Sequence, residues 1–190
     1  MSTSGIEKMN KQAQILEDIF FAEKEAKLVR HYREEKEQAQ KLADLTATLP
    51  HFPKVVLEHL LGIGIDSHTI MAVQLIPLIE MAWASGMVAD AEHEAVMRAA
   101  HRDGIEDNST TMEMLKKWLK VKPDPKLFEV WKEFILFAKS EFSAEDFATL
   151  KKHTHDWAVE VAEAYGGFLG FNAISDDERV VLNKIDAFFS

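Results

Sequence analysis

The chain has 190 residues and a formal net charge of −10, from 22 Lys+Arg against 32 Asp+Glu, and it contains no cysteine. Lack of cysteine excludes disulfides, thiolate metal sites, iron–sulfur clusters and cysteine nucleophiles together. A hydrophobic share of 47% with 28% charged residues is that of a globular chain. The acidic excess opposes sequence-independent nucleic-acid binding, because a phosphate lattice would repel the molecule.

No targeting or spanning segment is read from the sequence, so the expectation is a cytoplasmic protein that would reach a membrane only peripherally, through a partner. The longest apolar stretch, residues 70–85, is interrupted by Gln74, Pro77 and Glu80, too short and polar to cross a bilayer.

Residues Ile6 to Thr48 predict one long helix or two nearly continuous ones, since no Gly or Pro falls between Gly5 and Pro50. Met9, Ala13, Leu16 and Phe20 form one stripe, weakly continued by Leu28 and Tyr32, while residues 33–37 hold no apolar side chain. This pattern suits an arm that packs on a partner. With eight basic and nine acidic residues, the arm (1–48) is near neutral. The body (49–190) carries the acidity, a net of −9.

In the body a short helix is expected after Pro53, through Val55 to Leu60, with Pro53 in its first turn. The next is expected over about residues 68–84, with Asp66 or Ser67 as N-cap and a kink at Pro77. Five more follow: Asp90–His101, Ser109–Val121, Pro125–Lys139, Ala144–Tyr165 and Asp176–Phe189, with Ser143 and Ser175 as N-caps. Ser175-Asp176-Asp177-Glu178 is a capping-box pattern. No period-two alternation or hairpin signal occurs, so the fold class is all-α.

Two stretches resemble each other. Residues 79–92 hold a helix ending in Ala-Trp, a turn at Gly86, Val88, and Glu92 four positions later. Residues 161–178 hold a helix ending in Ala-Tyr, a turn through Gly166, Gly167 and Gly170, Ile174, and Glu178 four positions later. The offset of 86 is too long for a solenoid and suggests two helix–turn–helix halves related by an approximate two-fold.

The stretch Met81-Ala82-Trp83-Ala84-Ser85-Gly86-Met87-Val88-Ala89-Asp90-Ala91-Glu92 resembles the signature of the tellurite-resistance TerB-like family, and the second stretch resembles its C-terminal counterpart. The resemblance covers roughly residues 66–187. It implies a bundle of about seven helices with pseudo-symmetric halves, a stress-response setting without catalysis, and a divalent cation such as Ca²⁺ or Mg²⁺ at two acidic turns. Gly86 and Glu92 match the first motif, Ile174 and Glu178 the second. Ser85 stands where the motif has Asp, which removes one charged ligand.

The oxygen ligands on offer are Ser85, Asp90 and Glu92 in one turn, and Asn172, Asp176, Asp177 and Glu178 in the other. The same carboxylates suit the positive end of a helix dipole, so capping stands beside coordination. His93, Met97 and His101 share a face, but no His-Glu-x-x-His or Glu-x-x-His occurs, and the histidines read as surface groups. Asp156, Glu160 and Glu163 form an acidic stripe, read as a solvated face. Trp83, Trp118, Trp131, Trp157, Phe134 and Phe137 read as core. No P-loop, G-x-G-x-x-G or G-x-S-x-G occurs, and no catalytic residue is assigned. The alternative function is an adaptor or inhibitor that presents its N-terminal helix to a protein partner, or to its own copy.

Overall fold

The computed structural model describes residues 3–166 and 174–190, with side chains described within 16–164 and 174–190. Among the described residues there are eight α-helices, one 3₁₀ segment and no strand. The fold is therefore all-α, as the periodicity requires. The chain divides into two compact units, residues 1–43 and 44–190.

The first unit is formed by α1, a single helix over Thr3–Thr48 whose last turn belongs to the second unit. Its composition explains its persistence: Ala, Glu, Lys, Gln and Leu are strong helix formers, and no Gly or Pro breaks the run. His31 lies 3.3 Å from Glu35 one turn on, and the Lys36 ammonium sits 4.9 Å from the Tyr32 ring centre. Both are i, i+4 supports of a few tenths of a kcal/mol. Every side chain from Leu16 to Gln40 is exposed.

The second unit is a bundle of α2 (Lys54–Gly62), α3 (Ile76–Ala82), α4 (Asp90–Arg102), α5 (Thr110–Lys120), α6 (Lys126–Glu141), α7 (Ala144–Gly166) and α8 (Asp176–Phe188). Helix α3, buried at every position but Glu80, lies at its centre, packed against α4, α5, α6, α7 and α8. Leu45, Leu57, Leu60, Leu75, Ile76, Leu78, Ile79, Met81 and Leu115 are all sealed from solvent. Around Trp131 an aromatic cluster closes one side, with Phe128 stacked at 5.0 Å and Phe188 and Phe189 edge-on at 6.2 and 5.9 Å. Such offset and edge contacts add to area burial.

Three local expectations are corrected. Residues 70–84 do not form one kinked helix: a 3₁₀ segment, Ile70–Leu75, hands over to α3, with Pro77 in its first turn. Proline lacks the N–H needed to continue a ladder but costs nothing at a helix start. Pro53 and Pro125 likewise sit at the N-cap, outside α2 and α6 rather than within them. Asp66 does not cap a helix either. Its carboxylate accepts the His68 N–H at 3.0 Å and the Thr69 hydroxyl at 3.1 Å, which closes the loop before the 3₁₀ segment.

Helices α2 and α4 end alike. Gly64 and Gly104 take φ of +87° and +79°, and the following Ile65 and Ile105 donate back to Leu60 and Ala100 at 2.9 and 3.0 Å. This is a Schellman ending, in which glycine adopts the left-handed conformation and the next apolar residue turns inward. Ile65 and Ile105 are both buried.

Candidate functional site

The repeat seen in the sequence is present in space. Helices α4 and α8 both have 13 residues and start 86 positions apart. Helix α3 packs on α7, α4 on α7, and α8 on α3, the pairing that two α-hairpins related by a pseudo-two-fold produce.

Glu92 and Glu178 occupy the same place in the two halves. Each is the third residue of its helix and is buried, at 2% and 5% exposure. Glu92 accepts the Ala89 N–H at 2.7 Å, and Glu178 accepts the Ser175 N–H at 2.6 Å. In the second half the Ser175 hydroxyl returns the bond by accepting the Glu178 N–H at 3.3 Å, so the box is complete. In the first half Ala89 carries only a methyl group, so only the glutamate side of the box forms. Burial raises the Glu92 pKa against the lowering pull of the Ala89 N–H, and the negative charge of Glu178 raises it further. The two halves thus bring their buried carboxylates within electrostatic reach of each other.

The remaining residues of the acidic turns do not converge on these carboxylates. Ser85 is exposed, and its hydroxyl donates to the Met87 carbonyl at 3.0 Å. Asp90, Asp176 and Asp177 are exposed on the first turns of α4 and α8, where they favour the helix dipole. Asn172 lies outside the described residues. Among the described residues no group of three or more His, Asp or Glu side chains is placed to hold a metal ion, and no helix is long and apolar enough to cross a membrane.

No family model, no curated protein and no solved structure matches this chain.

Other polar groups pair across helices at separations that spacing along the sequence does not reveal. Glu160 belongs to the acidic stripe read as solvated, but it accepts from Arg102 at 2.6 Å and lies 3.6 Å from Arg98, so it ties α7 to α4. The Arg102 guanidinium also lies 5.5 Å from the Trp157 ring centre. Asp156 is held by Lys152 on its own helix, whose hydrogen bond keeps the carboxyl below the usual range. His59 meets Glu133 at 2.6 Å between α2 and α6, and His155 meets Asp186 at 3.0 Å between α7 and α8. Asp103 has one carboxylate oxygen buried without a hydrogen-bond partner, and burial raises its pKa against the pull of His153 and Arg102.

One cleft of about 180 Å³ lies beside Trp83 and Phe128, with Glu80, Lys122 and Lys184 at its edge. Lys184 sits 4.2 Å from the Phe128 ring centre and 2.9 Å from Glu80. The Trp83 indole N–H donates to the Trp118 carbonyl at 2.9 Å. These contacts tie helices together across the cleft.

The largest departure from ordinary packing is on α1. Leu16, Ile19, Phe20, Phe21, Leu28, Val29 and Tyr32 are 44–67% exposed. Single exposed apolar residues are ordinary, but a contiguous group marks a binding surface. The stripe named from sequence captured Leu16, Phe20, Leu28 and Tyr32. It missed Ile19, Phe21 and Val29, which lie off that stripe.

Proposed function

We propose that the chain is a non-catalytic helical interaction module, in which an acidic seven-helix body carries a long helix that recognises protein. The observation that carries this reading is the group of seven large apolar side chains exposed on α1. Helix-in-groove recognition uses such anchors at three- and four-residue spacing. Aromatic anchors such as Phe20, Phe21 and Tyr32 dominate the binding energy where they are enclosed.

The test replaces Phe20 and Leu28 by glutamate in the full chain and compares what each version captures from the host's own extract. Loss of specific proteins from the capture, with the melting temperature of the body unchanged, is the expected result. Identical capture by both versions contradicts the reading.

A second reading follows the TerB-like resemblance, in which the acidic turns take a divalent cation in a stress-response setting. The charge of Glu178, which adds to the raising of the Glu92 pKa, favours it, because a nearby cation would offset that charge. Melting of chelator-stripped protein against Ca²⁺, Mg²⁺, Mn²⁺, Zn²⁺ and Ni²⁺ tests it. Binding to the native state raises stability by ~2.7 kcal/mol at one hundred times Kd. A saturable rise lost in both Glu92→Gln and Glu178→Gln supports the cation, and a flat response to all five contradicts it.

A further inference from the structure

We infer that α1 pairs with α1 of a second copy, antiparallel, about a two-fold axis at Lys24; the inference rests on reading the arm as a recognition element and names its partner.

In an antiparallel pair centred on residue 24, residue k of one copy is level with residue 48 − k of the other. The sequence complements itself under that operation. Leu16 is level with Tyr32 and Phe20 with Leu28. Glu17 is level with His31, and both lie within about 20° of the Lys24 direction at 100° per residue. Glu23 is level with Glu25 and Lys24 with Lys24, so each like-charged pair at the axis has the opposite charge beside it. A two-fold interface requires such self-complementarity, because the same surface serves both partners.

The exposed face agrees with that centre. At 100° per residue, Leu16, Phe20, Phe21, Leu28 and Tyr32 fall in an arc of roughly 160° whose middle is Lys24. All five are 56–67% exposed. At on the order of 100 Å² each they offer roughly 500–600 Å² per copy, and a pair buries on the order of 1,100 Å². That is close to the ~1,200 Å² at the lower end of stable interfaces.

The body carries a net −9 whereas the arm is near neutral, so pairing through the arms adds little like-charge repulsion at the contact itself. Parallel pairing would place Glu17 level with Glu17 and His31 level with His31, whereas the antiparallel sense sets Glu17 level with His31.

Two measurements on the full chain test the pairing. Sedimentation equilibrium is expected to give twice 21.6 kDa, falling to the single-chain mass in the Phe20→Glu, Leu28→Glu variant. Glu17→Lys is expected to weaken association, and Glu17→Lys with His31→Glu to restore it. The chain has no cysteine, so single spin labels at Gln12→Cys, Glu25→Cys and Lys36→Cys report one distance each. At 1.5 Å per residue, the Gln12 and Lys36 pairs are each expected to separate by about 36 Å along the axis, and the Glu25 pair by about 3 Å. Equal distances at all three sites would overturn the antiparallel arrangement. A mass of 21.6 kDa at all concentrations up to about 100 μM would overturn the pairing. If the Phe20→Glu, Leu28→Glu chain still lost its extract partners, only the choice of partner would fall, not the recognition reading.

Discussion

The two units of this chain handle their apolar side chains in opposite ways. In the body, α3 hides Ile76, Leu78, Ile79 and Met81 to 1% exposure or less, while on α1 Leu16, Phe20 and Leu28 stay more than 60% exposed. The two regions draw on the same residue types. What differs is the neighbours: α3 has five packed helices around it, and α1 over 16–40 has no buried residue among its described side chains. Burial of apolar surface drives folding of the body. The same surface on the arm is left to drive association.

That contrast can be broken from the body side first. Trp131→Ala removes a side chain that is 1% exposed and stacks on Phe128. It is expected to cost the body about 3–5 kcal/mol, read by chemical denaturation. Ser175→Ala is expected to cost about 1 kcal/mol, because it removes the acceptor for the Glu178 N–H at the start of α8.

Glu92→Gln sharpens the comparison through pH. Burial, and then the charge of Glu178, raise the Glu92 pKa in the folded state. The folded protein therefore binds a proton more readily than the unfolded chain, and stability falls as pH rises from the ordinary value near 4.5 through the raised value. The parent is expected to gain stability on acidification across that window. Glu92→Gln should lose this gain and keep an oxygen for the Ala89 N–H. Thermal melts of both chains at several pH values check the sign. The smallest effect is expected from Leu28→Ser, which should leave the melt of the body within about 0.5 kcal/mol while weakening association.

Much of the fold was legible in the sequence. Breakers such as Pro50 and Gly86 bounded the helices, and Ser109, Ser143 and Ser175 marked their starts. The Ser109 and Ser143 hydroxyls each accept a backbone N–H at 3.1 Å. The offset of 86 located α4 and α8 because a capping glutamate leaves a local signature. The 3₁₀ segment over 70–75 was not legible, since its apolar pattern also suits an α-helix. Tertiary pairing was also hidden. Glu160 meets Arg102 across 58 positions, a distance at which sequence spacing carries no geometry. At the acidic turns the residue types were legible, but the engagement of Glu92 and Glu178 with backbone N–H groups followed only from the fold. Leu16 and Phe20 on the arm were legible because a helix with no breaker shows its face directly.

Hydrogen exchange along α1 tests the central claim most directly. In the full chain, amides of residues 16–32 are expected to be protected, most strongly near Lys24. That protection should vanish in the Phe20→Glu, Leu28→Glu chain while α3 and α7 exchange as before. Equal exchange of residues 16–32 in both chains would contradict the account, because it would mean that nothing covers the apolar face of the arm.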